Sequence, residues 1–164
     1  MTIAEADVDL VSPVLAWMGK PYNTDKARVL LLAIGQQETA FRRRVQMGKG
    51  PARSFWQIEP GKTAGAGIFQ LYPGMEPFRH FAAMRDFPTT RQAVSTILAT
   101  PRGDDLAVII SRGLLWIDPA PLPKVGDAKV AWAYYLRTWR PGKPRPGAWF
   151  GESGSYARAH ALIA

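Results

Sequence analysis

From Ala27 to Arg44 the chain reads ARVLLLAIGQQETAFRRR: an apolar first half, then a single carboxylate, then three arginines. At about 100° of turn per residue this spacing predicts one long helix, with Leu31, Ile34 and Phe41 on a common face and Glu38 among them. Asn23 or Thr24 supplies an N-cap, and Asp25 places a negative charge in the first turn, where the helix dipole favours it. The helix is expected to run to Val45–Met47, where Gly48 ends it. A carboxylate inside a hydrophobic stripe is unusual, because burial disfavours its charged form and raises its pKa. A carboxyl that keeps its proton near neutral pH can act as a general acid. The plainer alternative is a surface pair between Glu38 and Arg42, one turn on.

The flanking segments alternate helical patterns with Pro/Gly punctuation. Residues 1–20 predict one or two short helices, with Ser12-Pro13 as a start signal and Gly19 before Pro21 as a stop. The stretch 48–75 is rich in glycine and excludes a long helix. Within it, Ser54–Glu59 suits a short extended segment or a tight turn; if it is extended, Phe55, Gln57 and Glu59 share one side. Further helices are predicted over Pro77–Arg85, Arg91–Ala99, Leu106–Trp116, Ala128–Trp139 and Ser155–Ala164. Leu106–Trp116 is apolar nearly all round and therefore central. PAPLP (119–123) and RPGKPRPG (140–147) are rigid loops. These elements describe a single domain over 1–164, α+β in class and predominantly α-helical, with a small β element or irregular insert after the Glu38 helix.

Composition narrows the chemistry. The 164 residues include six Trp, seven Phe and five Tyr, enough to line a core or a cleft with aromatic rings, and no cysteine, which excludes thiol catalysis and disulfides. The acidic N-terminus lacks the pattern of a secretory signal, and no run is apolar enough for a membrane anchor. The net charge of +8 favours polyanionic partners such as nucleic acid, acidic lipid or an anionic cell wall. No nucleic-acid motif accompanies that charge, so nucleic acid is not the expected partner. His80 and His160 have no metal-ligand spacing, and no metal or cofactor is expected.

Three short motifs resemble a known family. QQETAF (36–41) looks like the Glu-Ser-x-Phe helix end of soluble lytic transglycosylases and related lysozyme-like enzymes, with Thr39 in place of Ser. SFWQIEP (54–60) resembles their Gly-x-x-Gln-Ile segment, with Ser54 near the Gly position. AWAYYLRTW (131–139) is similar to their later Ala-Tyr-Asn helix, with Tyr135 at the Asn position if Tyr134 is the family Tyr. The runs GPARSFWQIEPG and WRPGKPRPG look most like small lysozyme-like proteins of tailed bacteriophages. The resemblance implies a lysozyme-like fold and cleavage of the β-1,4 bond between N-acetylmuramic acid and N-acetylglucosamine in peptidoglycan. It implies Glu38 as the single catalytic acid/base: attack by the muramoyl 6-hydroxyl gives a 1,6-anhydro product, the favoured expectation because no second carboxylate is compelling, and attack by water makes the protein a hydrolytic muramidase.

Substrate contacts would come from Gln57, whose amide both donates and accepts, from Tyr134 or Tyr135, and from Phe55 and Trp56 stacking on sugar faces. Core packing is the alternative for each aromatic. Glu59 is a possible second carboxylate, or a solvated turn charge; two-carboxylate glycosidases space the pair about 5–5.5 Å or about 6.5–9.5 Å apart according to stereochemistry. The implied setting is a virion, or the host cytoplasm with delivery to the cell wall, with other virion or tail proteins as possible partners. A lysozyme fold kept without turnover, as a structural or wall-binding part of a virion, is the competing expectation.

Overall fold

A computed structural model describes residues 1–60 and 68–163. The described residues are mostly helical. The first helical run comprises α1 (Ile3–Ala6), a π-helical turn (Asp7–Val11) and α2 (Ser12–Met18). There follow α3 (Asp25–Thr39), α4 (Ile68–Leu71), α5 (Glu76–Met84), α6 (Arg91–Leu98), α7 (Asp104–Trp116), α8 (Ala128–Trp139), α9 (Pro146–Trp149) and α10 (Ser155–His160). None of these helices is long and apolar enough to cross a membrane.

α3 and α7 carry the core. Val29 to Gly35 is buried without interruption, as is Leu106 to Gly113. α10 packs along α3, while α2, α5 and α6 pack against α7. The N-terminal run is tied to α3 by an ion pair. Arg28 Nε donates to Asp7 Oδ1 at 2.7 Å, and Ser12 Oγ donates to the same oxygen at 2.6 Å. These partners outweigh the burial of Asp7 and hold its carboxyl below the usual range.

The predicted start of the α3 helix agrees with the structure: Thr24 Oγ1 accepts from the Ala27 amide at 3.2 Å. Its end does not. The helix stops at Thr39, short of the expected Val45–Met47, because Ala40 and Phe41 both turn left-handed, at φ 51° and 54°. Phe41 thereby folds back over Gly35, where an added Cβ would lie 2.6 Å from Phe41 Cε1. It also meets Phe55 and Trp56 edge-on, with ring centroids 5.6 and 5.7 Å away. Burying one large ring among two others offsets the two strained dihedrals. The three arginines consequently leave the helix. Arg44 pairs with both oxygens of Asp104 at 2.7 Å and lies 4.3 Å above the Phe55 ring.

Among the described residues the expected β element is reduced to two isolated antiparallel bridges, Val45 with Arg53 and Arg53 with Ile58. Of the two forms open to Ser54–Glu59, the chain takes the tight turn. Arg53 and Ile58 exchange backbone hydrogen bonds at 2.8 and 2.7 Å, and Ser54 and Gln57 between them sit at φ 65° and 50°. At the C-terminal end α10 closes at His160, earlier than the predicted Ala164, which lies outside the described residues.

Candidate active site

The turn at 54–57 is pinned to the helices from three sides. Thr39 Oγ1, at the end of α3, donates to the Phe55 carbonyl at 2.8 Å. Trp139 Nε1, at the end of α8, donates to the Trp56 carbonyl at 2.8 Å. Trp56 Nε1 donates into α3, to the Leu31 carbonyl, also at 2.8 Å. Phe55 and Trp56 are therefore core residues, 2% and 0% exposed. This corrects the expectation that they line sugar subsites: their rings fill the space under the turn, and what the turn presents outward is Gln57.

Outside the turn opens a cleft of about 1300 Å³. Glu38, Gln57, Glu59 and Tyr135 all line it, so the structure brings together four of the residues singled out in the sequence. Tyr134 is not among them. It is buried, its hydroxyl donates to the Leu115 carbonyl at 2.7 Å, and burial pushes it up to about 12. Consecutive positions on α8 thus separate into a core tyrosine and a cleft tyrosine. Gln57 is half-buried, with Nε2 donating to the Ser54 carbonyl at 2.9 Å, while Glu59 is exposed at the rim.

Glu38 lies in the last turn of α3. Tyr135 Oη donates to its Oε1 at 2.6 Å, and among the described residues Oε2 accepts no hydrogen bond. Arg42 lies beyond the helix end and does not pair with it. Burial raises the Glu38 pKa above the ordinary carboxyl value; the Tyr135 hydrogen bond and the positive charge of Arg145 pull in the other direction without cancelling that rise. Tyr135 is held fully protonated by its own burial and by the neighbouring carboxylate, so it serves Glu38 as a fixed donor. Its ring is locked by stacking on Trp149 at 5.3 Å and 13°. Trp149 is anchored in turn by an Nε1 hydrogen bond to the Ala128 carbonyl.

The sequence reading passed over a second set of residues here. Gln37, beside Glu38 in the chain, is 2% exposed. Its Nε2 donates to the Arg145 carbonyl at 2.9 Å, its Oε1 accepts from Ser155 Oγ at 2.9 Å, and its own carbonyl accepts from the Arg145 guanidinium. This exchange fastens the basic loop 140–147 against the end of α3. It also brings Arg140, Lys143 and Arg145 to the cleft, with Arg43 and Arg137. The only sequence signal for it was the basic Pro/Gly run. Asp118 also borders the cleft, but Arg137 holds both its oxygens, at 2.9 and 3.0 Å, and keeps its carboxyl below the usual range. Besides Tyr135, aromatic side chains along the cleft are the exposed Tyr72 and the half-buried Trp139.

Among the described residues no group of three or more acidic, histidine or cysteine side chains is placed to hold a metal ion. The arrangement offers one carboxyl with a raised proton affinity, one oxygen fixed by a phenol and the other without a hydrogen bond among the described residues, in a cleft whose lining holds more basic than acidic side chains. No known protein family, curated protein or solved structure matches the chain.

Proposed function

We propose that the protein is a peptidoglycan-cleaving glycosidase, acting on the β-1,4 bond between N-acetylmuramic acid and N-acetylglucosamine through Glu38 alone. The observation that carries this reading is the half-buried Glu38 carboxyl, held by Tyr135 on one oxygen and lining a cleft of about 1300 Å³. Protonated Glu38 gives its proton to the leaving glycosidic oxygen as the bond to the anomeric carbon breaks. The substrate's acetamido group stabilises the developing cation. The Glu38 carboxylate then takes a proton from the muramoyl 6-hydroxyl, whose oxygen closes on the anomeric carbon and yields a 1,6-anhydro end.

This route is preferred over attack by water because of how the two other carboxylates lining the cleft are placed. Asp118 is committed to Arg137, and Glu59 stands at the exposed rim. Flat sugar faces would stack on Tyr72 and Trp139, with the Gln57 amide reading hydroxyl or N-acetyl groups. The cationic wall suits an anionic wall polymer. A lysozyme-like fold, a virion setting and delivery to the cell wall belong to the same proposal. The test is clearing of a purified peptidoglycan suspension. The unaltered protein should clear it and Glu38→Gln, folded at least as stably, should not; equal clearing by both would remove Glu38 from the chemistry.

A further inference from the structure

A second cavity, of about 280 Å³, lies between the start of α3, the end of α7 and the loop that follows it, and shares only Asp118 with the lining of the Glu38 cleft. Arg112 of α7 lines it and is 2% exposed. A guanidinium so deeply buried ordinarily sits on a carboxylate, because an unpaired buried charge is costly. Arg112 has no such partner. Its Nε donates to the Tyr22 carbonyl at 2.8 Å, Nη1 is buried with no hydrogen bond at all, and the remaining company is aromatic, with the ring centres of Trp116 and Tyr22 at 5.2 and 5.8 Å. The charge is poorly compensated: desolvation lowers the Arg112 pKa to about 10. A buried polar group left without a partner in a folded protein calls for an explanation, and an unfilled binding site is one.

The surroundings describe what would fill it. Lys26 and the N-terminal end of α3 at Thr24 border the same cavity and add positive potential. Pro21, Leu115, Trp116 and Leu122 make the remaining wall apolar. Asp118 also borders it, but its charge is answered by Arg137 from the other side. That carboxylate would repel a multiply charged phosphate more than a single carboxylate, whose charge the guanidinium attracts and whose apolar body suits the hydrophobic wall. We propose that this cavity is a binding site for a small monocarboxylate with an apolar body, either a free acid or the terminal carboxylate of a short peptide, anchored on Arg112. The site is separate from Glu38 and does not depend on the glycosidase reading.

Benzoate and its neutral isostere benzamide test the proposal on the unaltered protein, at fixed ionic strength in chloride, read by the shifts of the Trp116 indole and Lys26 amide resonances and by the melting temperature. Benzoate should shift both resonances saturably and raise the melting temperature, while benzamide does neither. Arg112→Gln should weaken benzoate binding about tenfold or more, the worth of a lost charge-assisted contact. Glu38→Gln should leave that binding unchanged. N-acetyl-alanyl-alanine against its C-terminal amide forms the peptide arm, and the arm that binds more tightly names the source. Equal binding of benzoate and benzamide would mean an apolar pocket that ignores charge. No binding by any carboxylate would mean a cavity holding only water, and full competition by chloride would mean an adventitious ion only. Any of these three results overturns the proposal. Because the benzoate–benzamide comparison uses unaltered protein, it stands even if Arg112→Gln fails to fold.

Discussion

Tyr135 Oη and Glu38 Oε1 are 2.6 Å apart across a sequence separation of 97 residues. The bond joins the last turn of α3 to the middle of α8, and it fixes which way the carboxyl faces. Tyr135→Phe keeps the ring and its stack on Trp149 but removes the donor. The Glu38 pKa then rises further, since a lowering influence is gone. The alkaline limb of the pH–rate profile should move to higher pH. The rate at its optimum should fall about tenfold to a hundredfold through lost orientation. A pH–rate series on soluble glycan strands reads both effects.

Glu38 also leaves a signature in stability. Its folded pKa lies above its ordinary value, so the folded protein binds this proton more tightly than the unfolded chain does. Glu38 therefore costs nothing at a pH below the ordinary glutamate range. The cost appears as pH rises through that range and levels off once pH passes the raised folded value. Glu38→Gln should therefore match the unaltered protein near about pH 3.5 and become the more stable of the two towards neutrality. Denaturant midpoints of the two proteins across that window measure it.

Arg145 acts on the same group by charge. Arg145→Gln removes a positive charge that favours ionised Glu38, and its backbone carbonyl can still receive Gln37 Nε2. The alkaline limb should again move upward. The loss at the optimum should be smaller than in Tyr135→Phe, because the hydrogen bond to the carboxyl stays in place. Parallel pH–rate curves for the two variants separate charge from orientation.

How much of this was readable in the sequence differs from element to element. The start of α3 was legible because Thr24 and Asp25 are local signals, and Asp127 caps α8 in the same way, accepting from the Val130 amide at 3.0 Å. The end of α3 was not: Ala40 and Phe41 carry no glycine mark, and their left-handed turn is imposed by the burial of Phe41 against Gly35 and Phe55. Tyr134 and Tyr135 could not be told apart, since neighbours on a helix point about 100° apart and both are aromatic. Phe55 and Trp56 suited a core or a sugar subsite equally well until the turn was seen to rest on Leu31, Thr39 and Trp139. Arg112 was hidden inside a run that reads as apolar, and only its missing partner makes it conspicuous. Gln37 and Arg145, 108 positions apart, exchange side-chain and backbone bonds that no local pattern announces.

The fold of Phe41 over Gly35 gives a stability test. Gly35→Ala puts a methyl group into the Phe41 ring and should cost about 1–3 kcal/mol, as overpacking in a tight core does. Displacing Phe41 also disturbs Phe55 and Trp56 beneath the 54–57 turn, so the glycan affinity proposed for Gln57 should weaken together with stability. Chemical denaturation and KM on the same variant check the pair.

The central claim is that Glu38 alone performs both proton transfers, with the substrate's own 6-hydroxyl as nucleophile. Mass spectrometry of the fragments released from purified peptidoglycan tests it most directly. The account predicts muropeptides with 1,6-anhydro-muramoyl ends, a mass one water lower than the hydrolysed products, and none from Glu38→Gln. Reducing-end muramoyl products, or anhydro products that persist in Glu38→Gln, would contradict it.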